Sequence, residues 1–192
     1  MSESRSLWRW AAVLALALAA FAPAEATTMI RMGVEDLVAS NEAVVVGRVV
    51  DVQSYWNAEG SFILSDVKVE VLDALKGAAL EREISLTVMG GSVGELTTLI
   101  LAGPEMTIGG DYVLFLNRED LPGVFGVRTV RDLAQGIFDV VGAGDGLRAV
   151  SQASRHPLLP DARGISEAPG GQEGIPLENL IRQVRDLAGV RR

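Results

Sequence analysis

Gly90-Gly91-Ser92-Val93-Gly94 matches the G-x-S-x-G pattern of a nucleophile elbow, in which a serine sits on a sharp turn with its hydroxyl offered to a general base. Asp132, Asp139 or Asp145 and then His156 follow in the order Ser, Asp, His of a hydrolase triad. On that reading Ser92 is the nucleophile and His156 the base of a small secreted serine hydrolase. The elbow, however, requires a buried strand before the serine and a helix straight after it. Here Leu96-Thr97-Thr98-Leu99-Ile100-Leu101 follows, which reads as strand, and strands and helices do not alternate along the chain. The preferred reading of Ser92 is therefore a serine in a glycine-rich turn. No catalytic residue is expected, and the hydrolase stands as the alternative.

His156 is the only histidine, in Ser154-Arg155-His156-Pro157, and one histidine builds no zinc site without other strong ligands nearby. The chain has no cysteine, which removes disulfides, thiolate metal sites and cysteine nucleophiles together. The acidic residues form no D-x-D-x-D-G calcium loop, and Gly142-Ala143-Gly144 begins a dinucleotide fingerprint without completing it. Neither a metal nor a cofactor is expected. Tyr55, Trp56 and Phe62 cluster around the first hairpin turn and are the candidate ligand-binding residues, exposed aromatics near loops being able to form a platform. The competing reading packs Trp56 and Phe62 across the hairpin as a non-polar pair.

The elements that would position these residues are mostly strands. Gly33 to Ser40 has the helical spacing of Val34, Leu37 and Val38. Ala43 to Trp56 is rich in β-branched residues, apolar on both faces at first and alternating later, with Gly47 where the strand bends or another backbone approaches. Asn57-Ala58-Glu59-Gly60 turns the chain into a second strand ending at Lys76-Gly77. In it the apolar phase slips near Val71 and Leu72, the sign of a β-bulge. Arg82 to Met89 alternates cleanly, Leu96 to Leu101 is a weaker strand, and Asp111 to Asn117 is a continuous apolar one. Smaller strands are expected at Phe125 to Val130, Ile137 to Val141 and Leu147 to Val150, the last two joined through Asp145-Gly146. Residues 151–175 hold several prolines and glycines and read as a loop or link. Leu177, Leu180, Ile181, Val184 and Leu187 then form one apolar stripe between Pro176 and Gly189, a helix expected to pack on the sheet.

Arg5 and Arg9 precede the apolar run Ala11 to Phe21, and Ala24 and Ala26 supply the small residues that signal peptidase accepts. Residues 1–26 are read as a signal peptide with Thr27 as the new terminus. The run is too short for a bilayer-spanning helix, so no membrane anchor is expected after cleavage. Removing 26 of the 192 residues leaves 166, and since the signal holds two acidic and two basic residues the net charge stays at −8. Such a surface repels phosphate backbones, and no basic cluster argues for nucleic acid.

Asn41-Glu42-Ala43-Val44-Val45-Val46-Gly47-Arg48-Val49 after a short helix, then Ala74-Leu75-Lys76-Gly77, then Gly109-Gly110-Asp111-Tyr112-Val113-Leu114-Phe115-Leu116, resembles the netrin-like module over about residues 30–117. That is the OB-type β-barrel of tissue inhibitors of metalloproteinases and of secreted bacterial relatives. The resemblance implies an OB-type barrel, expected closed or nearly closed over residues 43–117 within a mainly β domain at 27–150 that begins with a short N-terminal helix; the C-terminal amphipathic helix at 176–189 rests on its own apolar stripe. The resemblance also implies a metalloprotease-inhibitor alternative acting through Thr27, although the family's zinc-clamping cysteine is missing here. The preferred expectation is a secreted or periplasmic non-catalytic binding module for an extracytoplasmic protein or small ligand.

Overall fold

The computed structural model describes residues 30–77, 81–144, 146–156 and 167–189. The expected signal peptide and its cut, Thr27, and the turn residue Asp145 lie outside these. The first helix, α1 (Val34–Ser40), buries Val34, Leu37 and Val38, the residues at helical spacing. Its start is tied by the Gly33 N–H donating to Asp36 Oδ2 at 3.1 Å. At its end the Asn41 amide donates to the Leu37 carbonyl at 2.8 Å, and the Lys76 ammonium donates to the carbonyls of Val38 and Asn41 at 2.6 Å each. A cation on the free carbonyls of a helix end is the favourable arrangement, and here it also fastens α1 to the sheet.

That sheet is built from β1 (Ala43–Trp56), β2 (Ile63–Lys76), β3 (Glu83–Met89), β6 (Asp111–Leu121), β7 (Val124–Val130), β8 (Ile137–Ala143), β9 (Gly146–Ser151) and β10 (Ile175–Pro176). A separate hairpin pairs β4 (Gly91–Val93) with β5 (Leu96–Thr98). The strand order is β10-β9-β8-β6-β1-β2-β3, with β7 also on β6. Register shifts between β1 and β2 leave Val50, Leu72 and Leu75 as extra residues, the second of them where the apolar phase slips. Gly47 faces β2 so closely that a Cβ there would overlap the Val69 side chain. These bulges curl the sheet.

The curled face encloses one core, with Val45, Val49, Val67, Ile84, Leu86 and Leu114 among its members. The outer face carries a second, in which Val44, Val46, Phe115 and Phe138 meet α1 and the second helix, α2 (Leu177–Ala188). The alternating residues of β1 and β6 thus feed two cores, which is why their apolar runs are continuous. On α2, Leu177, Leu180 and Val184 are buried, and Arg185 donates to both carboxylate oxygens of Asp73 at 2.6 and 2.7 Å.

The barrel expectation needs correction: the fold is mainly β, but the sheet does not close. β3 and β7 lie against each other without a ladder among the described residues. Side chains occupy the gap, Val88 from β3 and Thr129 and Val130 from β7 lining a cavity there. One forked ion pair bridges it, Arg128 donating to both oxygens of Glu81 at 2.9 Å. Smaller differences follow from local chemistry. The weaker strand stops at Thr98, leaving Leu99 and Leu101 exposed, and β6 extends to Leu121 because its polar end finds a partner in β7. Within the expected link, Gln152–Arg155 forms a 3-10 turn with Gln152 buried, its amide bonded to the Glu105 carbonyl at 2.7 Å and N–H at 2.8 Å. No helix among the described residues is long and apolar enough to cross a membrane.

Candidate ligand cavity

Two glycines of the elbow-like segment, Gly90 and Gly91, have packing reasons. Gly91 lies over the paired hydroxyls of Ser54 and Ser65, where a Cβ would overlap both, and the Ser65 hydroxyl donates to the Gly90 carbonyl at 2.8 Å. Gly90 and Gly91 both have positive φ. Ser92 itself stands in β4, opposite Thr97, with 2.7 Å between the two hydroxyls. A turn and then a strand follow it, so the strand-turn-helix of an elbow is not formed. His156 ends the 3-10 turn, and its carbonyl accepts from Arg31 at 3.5 Å. Asp139 is engaged by Arg155 and Gln152, and Asp132 lines the seam cavity. The hydrogen bonds of Ser92 and His156 thus lead to different neighbours. No group of three or more His, Cys, Asp or Glu among the described residues is arranged to hold a metal.

At the hairpin, the register sets Tyr55 against Leu64 and Trp56 against Ile63, while the Asn57 N–H donates to the Phe62 carbonyl. Trp56 and Phe62 are therefore not direct cross-strand partners. The Tyr55 hydroxyl donates to Asp66 at 3.2 Å, an acceptor it shares with Thr87 at 2.7 Å. Burial, helped by the Asp66 charge, pushes its ionisation up, so this ring is held in a polar ladder across three strands. Trp56 remains 39 % exposed. The turn owes its shape to buried Asn57, whose side-chain oxygen accepts from the N–H groups of Ser61 and Phe62 at 2.9 and 3.1 Å.

An open cavity of ligand size lies elsewhere. About 440 Å³ in volume, it is bordered by the chain entering α1, the segment 167–171, β10 and α2. Met32, Val34 and Ile175 give it apolar wall; Arg31, Glu35 and Glu167 are its charged residues. Arg31 is only 6 % exposed. Its Nη2 reaches the His156 carbonyl, but Nε and Nη1 are buried with no hydrogen-bond partner. Desolvation pulls the Arg31 pKa down, opposed by the negative charge of Glu167. Glu35 accepts from the Gln183 amide at 3.0 Å. The approach to α1 is anchored on the neighbouring residues: Gln135 accepts from the Met32 N–H at 2.9 Å and donates to the Ile30 carbonyl at 3.1 Å.

A buried donor without an acceptor is costly, and a guanidinium pairs with oxyanions through two parallel hydrogen bonds. Sequence reasoning missed Arg31. It is one arginine among many, and the groups it meets, the His156 carbonyl and the Glu167 charge, lie well over a hundred residues away, so no local spacing marks it. No protein-family model matches the chain, and the search of curated proteins gives no match.

Proposed function

We propose that the chain is exported, cut after Ala26, and acts in the periplasm or outside the cell as a non-catalytic module that binds an apolar amino acid or similar zwitterion at Arg31. The observation that carries this reading is that Arg31, a wall residue of a cavity of about 440 Å³, keeps Nε and Nη1 buried behind that wall without a hydrogen-bond partner. A carboxylate there satisfies both the charge and the donors. The two carboxylates, Glu35 and Glu167, outnumber the one guanidinium, so a ligand that also carries an ammonium suits the cavity better than a plain anion. The walls of Met32, Val34 and Ile175 suit an aliphatic side chain.

Export rests on the basic head, the short apolar run and the Ala24 and Ala26 pair. Kinship with the netrin-like module, in an open-seamed form, is supported by the order of short helix, long bulged strand, hairpin partner and buried return strand. It speaks to fold and transfers no function.

In the test, the exported protein is purified, its amino terminus is sequenced, and leucine, N-acetyl-leucine and leucinamide are titrated by calorimetry. A terminus at Thr27 and binding of leucine, weakened about tenfold or more when either charged group is blocked, are expected. Arg31→Gln should abolish binding. Glu167→Gln, at an exposed position, should weaken leucine while sparing the fold. No heat with leucine, or equal affinity for N-acetyl-leucine, defeats the proposal.

A further inference from the structure

The seam between β3 and β7 holds a second, smaller cavity of about 120 Å³, on the face of the sheet away from the two helices. Its walls include Val88, Ile100, Thr129 and Val130, and its charged residues are Glu119 and Asp132. Asp132 Oδ2 is buried and accepts no hydrogen bond. Arg131 Nε stands 3.9 Å from it and 3.4 Å from Glu119, while Arg131 Nη1 donates to the Ser40 carbonyl at 3.2 Å. Two partly exposed carboxylates therefore share one guanidinium, and the seam carries a net negative charge.

Backbone strain gathers at the same wall. Asp132 and Leu133 have φ of 59° and 54°, and Ala102, whose carbonyl accepts from the Ala134 N–H at 2.9 Å, has 55°. These are the non-glycine residues with positive φ among the described residues. Such strain persists where the surroundings enforce it, and it clusters at ligand clamps. Outside the cavity the chain exposes Leu99 and Leu101, 88 % and 90 % accessible, on either side of the lining residue Ile100.

We propose that the seam is a docking surface for a different protein, which inserts one lysine side chain so that its ammonium meets Asp132 and Glu119 while apolar neighbours cover Leu99 and Leu101. The cavity is well below the size of an ordinary small-molecule pocket and suits an ammonium with the end of its methylene stem. A buried anchor ringed by apolar contact is the usual anatomy of an interface hot spot. A second copy of this chain is a poor source of the anchor. Of its two lysines, Lys76 is bonded to the carbonyls of Val38 and Asn41, and Lys68 lies beside Asp51 at 3.9 Å.

The test follows backbone amide resonances of the mature chain during titration with acetyl-Leu-Lys-Leu-amide, acetyl-Gly-Lys-Gly-amide and acetyl-Leu-norleucine-Leu-amide. The first peptide should move the amides of Ala102, Asp132, Leu133 and Ala134. The uncharged norleucine peptide should bind about tenfold more weakly or worse. Asp132→Asn should remove that difference, and Glu119→Gln should reduce it at a more exposed position. Leu99→Ser combined with Leu101→Ser should erase the preference for leucine over glycine flanks. Equal shifts with the lysine and norleucine peptides overturn the charge argument. Equal binding of leucine- and glycine-flanked peptides to the unaltered chain overturns the protein-docking argument. If raising the concentration of the chain alone moves the same amides, the partner is a second copy and the proposal fails.

Discussion

Asp132 shows how one residue couples the two properties that matter at the seam, charge and backbone strain. Burial pushes its carboxyl pKa up, against a smaller opposing pull from Arg131. Between the ordinary carboxylate value and that raised value, the folded chain holds a proton that the unfolded chain has released. Stability therefore falls as pH rises through the window. Asp132→Asn removes the titration, and asparagine tolerates the left-handed backbone at this position. The variant should melt above the unaltered chain at neutral pH, with the gain shrinking as the pH is lowered below the ordinary carboxylate range. A gain that stays constant with pH would mean that the carboxyl is not destabilised by burial. Arg31 does not stand out in the amino-acid sequence, and Asp132 does so only as one of three aspartates in triad order, because what distinguishes both is a desolvated atom without a hydrogen-bond partner. Ser92 stands out, since letters and spacing suffice to write G-x-S-x-G, but the segment forms a small hairpin in which Gly91 packs over Ser54 and Ser65.

Elements read well from sequence where one face is buried and the other wet. The alternation of Ile84, Leu86 and Val88 in β3 and the stripe of Leu177, Leu180 and Val184 in α2 follow from that division. Even the slip at Leu72 was visible, because an extra residue inverts the alternation beyond it. The hairpin β4-β5 was legible only as a flexible connection and a weaker strand, since its polar and exposed residues carry no period. On α2 the stripe itself divides. Leu180 is fully buried, whereas Leu187 is 45 % exposed. Leu180→Ala should therefore cost about 2–5 kcal/mol in denaturant unfolding, through lost burial and the cavity left behind. Leu187→Ala should stay within about 0.5 kcal/mol of the unaltered chain. Equal losses at the two positions would mean that the helix sits differently on the sheet.

The described residues form one large curled sheet with a core on each face and a separate small hairpin, and the open edge of that sheet is not legible in the sequence for a physical reason. Continuous apolar runs such as Val44-Val45-Val46 and Val113-Leu114-Phe115 declare that both faces are covered, but they do not say whether the far edges meet. Closure depends on the side chains at the seam, where a cavity stands in place of a ladder. The two ends of the molecule should consequently respond very differently to damage. At the seam, Glu81→Gln weakens only the exposed forked pair with Arg128, and such pairs are worth about 1 kcal/mol or less. A chain ending at Val150 instead loses β10 and α2, with the buried Leu177, Leu180 and Val184, and lays bare the outer-face residues Val44, Val46, Phe115 and Phe138. It also loses the Gln152 ties to Glu105 and the Arg155 pair with Asp139. Each fully buried side chain of this kind contributes about 1.5–3 kcal/mol, so three of them alone approach the roughly 5–15 kcal/mol that separates a folded domain from its unfolded state. Glu81→Gln should shift the melting temperature by a few degrees at most while the transition stays cooperative. The shortened chain should lose its cooperative transition and bind a hydrophobic dye. If it melts at the same temperature and with the same sharpness as the full mature chain, the outer core is not required for folding and α2 is an appendage whose apolar face is free for another partner.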